Sequence, residues 1–145
     1  MADDQARAGG DLWGSAFVED PADTAPVALL KEQADALTRR TGGRVVGEVL
    51  AETDAERGTV WISLYALVPA LDDYRHKLLS IAHPVIVDDP HLPFPLAVID
   101  TQSNDGGEVL DMEGFTEWLS RILSSEEVHN VIGNLLRYSH DRVAS

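Results

Sequence analysis

The sequence predicts an α+β fold: an N-terminal helix, an antiparallel meander of three to four strands, and two C-terminal helices packed on one face of the sheet. Three observations carry this. Leu30–Leu37, Phe115–Leu123 and Val128–Leu136 have helical apolar spacing, whereas the middle of the chain alternates apolar and polar residues between turn signals. Strands and helices are segregated along the chain, which favours helices stacked on a sheet over a parallel α/β arrangement. No internal repeat is present.

Pro26 suits a first helical turn, with Asp23 or Thr24 as the cap. Leu30, Ala34 and Leu37 then share one face, and Lys31, Glu32, Asp35 and Arg39 lie elsewhere. Thr41-Gly42-Gly43 stops the helix, because glycine takes the left-handed closing position without steric cost. Arg44–Glu52 reads as a strand through Val45, Val46, Val49 and Leu50. After the turn at residues 54–58, Thr59–Val68 alternates cleanly. Val60, Ile62, Leu64, Ala66 and Val68 fall on one side; Trp61, Ser63, Tyr65 and Leu67 fall on the other.

Pro69 ends or bulges that strand. Tyr74–His83 fits two templates: a helical face of Leu71, Tyr74, Leu78 and Ile81, or a third strand after a turn at Asp72-Asp73. The Asp-Asp pair is turn chemistry and His83–Val87 is extended by its own residue types, so the strand is preferred. Pro90, Pro93 and Pro95 hold a loop before a short strand at Leu96–Asp100, and Gln102–Glu108 reads as a polar, glycine-containing loop. Phe115, Trp118, Leu119, Ile122 and Leu123 form a helical stripe. Ser124-x-x-Glu127 matches a capping box opening a second helix, lined by Val128, Val131, Ile132, Leu135 and Leu136.

Composition bounds the function. The chain has 145 residues, 44% of them apolar, which suits one domain, expected over residues 26–145. Residues 1–25 read as an acidic flexible tail with no apolar period; Leu12, Trp13, Phe17 and Val18 form an apolar island able to dock on its own domain or on a partner. Twenty-five acidic residues against 11 basic ones give a formal charge of -14. Nucleic acids and anionic membranes select the opposite sign, so neither is an expected partner, whereas a basic protein is. There is no cysteine, which removes disulfides, thiolate metal sites and cysteine nucleophiles and fits a cytoplasmic protein. Acids precede any apolar run at the N-terminus, an arrangement unlike a signal peptide.

Catalytic chemistry has little support. His83, Asp88, Asp89 and His91 are the only cluster resembling metal ligands, yet their spacing matches no common site, and residues 88–91 read more simply as a solvated turn. Asp72 and Asp73 sit beside Arg75, His76 and Lys77, but neighbours on a strand point to opposite faces and do not converge. Ser63, Ser80, Ser103 and Ser120 lack a nucleophile-elbow context, and Gly106-Gly107 lacks the Lys and Ser/Thr of a phosphate loop. A metal-dependent nuclease would place an acid-x-Lys on the strand after Glu48 and Glu52; residues 61–68 carry no charge at all.

Aromatic residues are the better lead. Trp61 and Tyr65 share one strand face, with Tyr74 and Phe94 expected nearby. Either the helices cover them, or they form an aromatic patch rimmed by acids, of which residues 100–127 supply Asp100, Asp105, Glu108, Asp111, Glu113, Glu117, Glu126 and Glu127. Size, acidity and element order resemble, at the level of class, small bacterial helper proteins such as type III secretion chaperones and toxin-immunity proteins. That resemblance implies a non-enzymatic protein that binds another protein. The expectation is therefore an interaction module without a cofactor, binding a basic partner through Trp61, Tyr65, Phe94, Glu108, Asp111, Glu113 and Glu117. A small metal-assisted hydrolase built on His83, Asp88, Asp89 and His91 is the second reading, and a homo-oligomeric module the third.

Overall fold

The computed structural model describes residues 23–87, 89 and 92–144. The expected tail lies outside them up to residue 22, and with it the apolar island at Leu12, Trp13, Phe17 and Val18. Helix α1 spans Ala25–Arg40, capped by Thr24, whose hydroxyl accepts from the Val27 N–H at 3.4 Å. Gly42 and Gly43 close it at φ 61° and 83°, as their lack of a Cβ allows.

Five strands follow: β1 Val46–Asp54, β2 Thr59–Val68, β3 Tyr74–Pro84, β4 Leu96–Asp100 and β5 Asp105–Val109. They form one sheet in chain order, each neighbour antiparallel. Helices α2 (Met112–Leu123) and α3 (Glu126–Ala144) end the fold.

The sheet is covered on one side. Ile62, Leu64, Ala66 and Val68 of β2, Leu79 and Ile81 of β3, and Leu96 and Val98 of β4 are all buried there. Against them pack Leu30 and Ala34 of α1, Phe115, Trp118, Leu119 and Ile122 of α2, and Val128 and Leu135 of α3. Each large apolar side chain removed from water in this way contributes roughly 1.5–3 kcal/mol.

The seat of α1 is unusually close. A Cβ on Gly47 of β1 would overlap the Ala34 carbonyl oxygen and Cα, and would stand 2.6 Å from the Ala34 carbonyl carbon. Thr38 bridges the contact: its hydroxyl accepts from the Gly47 N–H at 2.9 Å and donates to the Ala34 carbonyl at 3.1 Å. Thr41 does the same one turn later, accepting from the Val45 N–H at 3.1 Å and donating to the Val45 carbonyl at 2.8 Å. β1 is an edge strand; the Thr38 hydroxyl satisfies a backbone N–H on its unpaired side, and Thr41 holds the residue just before it.

The expected class is present, with differences of detail. The sheet has five strands rather than three to four, because residues 105–109 pair with β4 although they read as a loop. Gly106 and Gly107 have low strand propensity, but ladder hydrogen bonds need only a backbone beside an open edge. The turn at 101–104 delivers it: the Asn104 N–H donates to the Asp100 carbonyl at 2.7 Å, and Asn104 takes φ 64°. The third strand is a strand, entered through Asp72 and Asp73 at φ 58° and 59°.

The cap of α3 is Ser125, not Ser124. Ser125 accepts from the Val128 N–H at 3.2 Å, while Ser124 ends α2 and donates back to the Ser120 carbonyl at 2.8 Å. A two-residue joint leaves each serine serving a different helix.

Two expected outcomes test this architecture by urea denaturation. Gly47→Ala destabilises at or above the upper end of the roughly 1–3 kcal/mol typical of overpacking, because the obstructing atoms are backbone and cannot rotate away. Asp111, whose carboxylate accepts from the Gly114 N–H at 2.8 Å, caps α2. Asp111→Ala costs about 1 kcal/mol.

Candidate functional site

Among the described residues, no helix packs on the second face of the sheet. Strand registers lay out what this face presents. One row runs Glu52, Trp61, Ala82, Ala97, Glu108 from β1 to β5. The next runs Leu50, Ser63, Ser80, Ile99, Gly106, and the third runs Glu48, Tyr65, Lys77. The centre is built of small side chains: Ser63, Ser80 and Ala82 are buried, and the two serine hydroxyls hydrogen-bond each other at 2.7 Å. Two polar groups thus satisfy each other between half-buried Trp61 and Tyr65.

At the Trp61 end the residues that follow β3 and those that precede β4 lie beside the sheet. Pro84, Ile86, Phe94 and Pro95 join Trp61, Ala82 and Ala97 around a groove of about 500 Å³. Glu108 stands on its rim, and Glu52 lies directly beside Trp61 on the edge strand. Ile86 is 86% exposed, an isoleucine left almost wholly in water at the groove. An apolar trough with carboxylates at both sides is therefore open at this end.

The Tyr65 end carries charges of both signs. Register slips between Leu64 and Tyr65, where Leu64 pairs with Leu79 but Tyr65 pairs with Lys77. The extra residue is Leu78, a bulge that buries both Leu78 and Leu79. It also reverses the alternation of β3 beyond it. Lys77 now lies over the Tyr65 ring, 5.8 Å from its centroid, and Arg75 binds Glu48 at 2.6 Å. The Glu48 carboxylate, by hydrogen bond first and charge second, raises the Arg75 guanidinium above its ordinary pKa.

The bulge also corrects one expectation. Tyr74 pairs with Val68 and sits on the helix-bearing side, lining a hollow with Leu71, Val131 and Tyr138, not beside Trp61.

The other predicted site residues are dispersed. Trp61, Phe94 and Glu108 share the groove, and Tyr65 lies two rows away on the same face. Glu117 lines a separate cleft of about 450 Å³ between β5 and α2, with Asp105, Glu108 and Arg121. Asp111 is occupied as a helix cap, and Glu113 lies exposed in the first turn of α2, where its charge complements the helix dipole. Glu52, Ile86 and the cations Arg75 and Lys77 were missed as site residues. Strand pairing signals Glu52 once the hairpin register is known, but nothing in the local sequence announces the bulge.

For metal chemistry, Asp88 and His91 lie outside the described residues. The His83 imidazole is 2.7 Å from the Pro84 carbonyl, and Asp89 is exposed. No group of three or more His, Asp or Glu side chains is placed to hold a metal ion among the described residues. Asp100 is buried, but its carboxylate accepts from the Gln102 N–H at 3.0 Å and the Ser103 hydroxyl at 2.9 Å, which is turn construction. Among the described residues, no helix is long and apolar enough to cross a membrane. No known protein family, curated protein or solved structure matches the chain.

Proposed function

We propose that this protein is a non-enzymatic interaction module whose open sheet face takes up an extended, basic segment of another protein. One observation carries the reading. Among the described residues, the sheet face without helices presents an aromatic and aliphatic groove flanked by Glu52 and Glu108, on a chain of formal charge -14. Trp61 and Phe94 supply rigid apolar area with few torsions to freeze, and the two carboxylates select lysine or arginine beside an apolar side chain. The general charge speeds encounter with a cationic partner and repels nucleic acid. A helper of the chaperone or immunity type is the corresponding biological class.

The test is fluorescence anisotropy with the full chain and a labelled peptide alternating lysine with valine and leucine, beside a glutamate counterpart. The lysine peptide binds and weakens with salt, while the glutamate peptide does not bind. Glu52→Lys with Glu108→Lys weakens binding at least tenfold. Glu32→Lys with Asp35→Lys, an equal charge change on exposed positions of α1, has a much smaller effect. Equal losses in the two double variants would show attraction to net charge alone and overturn the assignment to this face.

A further inference from the structure

The helix layer holds a further cavity, independent of the sheet-face reading. Helices α1 and α3 border a cleft of about 500 Å³, within the range of small-molecule sites. Its floor is Leu64, the bulged Leu78 and Leu123; its walls are Leu37 of α1 with Ile132 and Leu136 of α3. The lining is mainly apolar, and the polar side chains at its border are Gln33, Arg40, Thr41 and His129.

Two observations indicate a ligand. The first is Gly133. It lies in the middle of α3, where glycine is the least favourable residue apart from proline. At Gly47 a close backbone contact requires glycine, but a Cβ on Gly133 would meet nothing within 4 Å. It is exposed at the border of the cleft, and no packing within the described chain accounts for it.

The second is charge. On a chain dominated by acids, this cleft is bordered by Arg40 and His129, and Arg44 lies alongside, donating to the Leu136 carbonyl. The side chains of Gln33, Arg40 and His129 make no hydrogen bond or ion pair among the described residues. Glu32 and Asp35 of α1 are exposed and do not line the cleft.

We propose that this cleft binds a small amphipathic monoanion, an aliphatic carboxylate of medium chain length. Its chain lies over Leu64, Leu78 and Leu123 and passes close to the Gly133 backbone. Its carboxylate meets the Arg40 guanidinium and the His129 ring N–H, with the Gln33 amide as a further donor. Arginine suits this role because its planar donors match a carboxylate in two parallel hydrogen bonds. The chain's negative field opposes free anions at a distance, but salt screens it within about 10 Å at 0.1 M, where the local cations prevail.

Isothermal titration calorimetry of the full chain with octanoate and with octylammonium, both below their micellar concentrations, tests this. Octanoate binds saturably at one site, at least tenfold more tightly than octylammonium. Arg40→Glu abolishes that preference. Gly133→Leu folds with an unchanged or higher Tm, because it fills open space on a helix, and loses saturable octanoate binding. Should Gly133→Leu fail to fold, the Arg40→Glu selectivity decides alone. Equal binding of both amphiphiles, or undiminished octanoate binding in a folded Gly133→Leu chain, overturns the proposal. So does a concentration-dependent dimer, seen in sedimentation without any anion and broken by Gly133→Leu, since the cleft's occupant is then a second copy.

Discussion

The contact between Gly47 and Ala34 sets the arrangement on which the rest of this molecule depends. Backbone meets backbone there, with the Thr38 hydroxyl joining the two. This fixes α1 against the edge strand at a distance no side chain permits, and it commits α1 to the same face as α2 and α3. Three helices on one face use the apolar alternation of β2, β3 and β4 in full. Among the described residues the other face keeps no helical cover, so its chemistry is decided by which side chains the strand registers place on it.

Those registers divide the molecule's charge. Acids flank the Trp61 end of the open face, whereas Lys77 and the ion pair of Arg75 with Glu48 gather around Tyr65. The helix layer carries a further local excess of cations where α1 ends beside α3. A formal charge of -14 therefore describes the field at a distance and not the surface at contact range. Both functional proposals rest on these local departures from the mean: carboxylates beside an aromatic groove in one case, guanidinium and imidazole beside an aliphatic cleft in the other.

Most of the fold was legible because it rests on short-range rules. The alternation of Thr59–Val68, the turn chemistry of Asp72 and Asp73, and the stripe from Phe115 to Ile122 each signal an element within a few residues. β5 was not legible, since Gly106 and Gly107 carry no strand preference and become a strand only beside β4. Of the expected contact residues, Trp61, Phe94 and Glu108 lie around one groove. Tyr74 was misplaced because strict alternation along β3 fails at Leu78, and a single extra residue exchanges the faces of everything beyond it. Asp111 and Glu117 share an acidic stretch with Glu108, but Asp111 is used as a helix cap and Glu117 meets Glu108 only in the cleft between β5 and α2, away from Trp61.

By itself the sequence determined the class of most elements, their order and the two-sided alternation of β2, because these follow from periodicity and turn chemistry within one segment. It also determined the sign of the long-range field, which is a sum over residues and needs no coordinates. Only the tertiary structure decided that the Trp61 face carries no helix among the described residues, that a bulge brings Arg75 and Lys77 to Tyr65, and that Gly133 borders a cleft. Each of these depends on the relation between segments far apart in the chain. Such relations are set by close packing and strand register, and a sequence pattern records them only after the fold has brought the segments together.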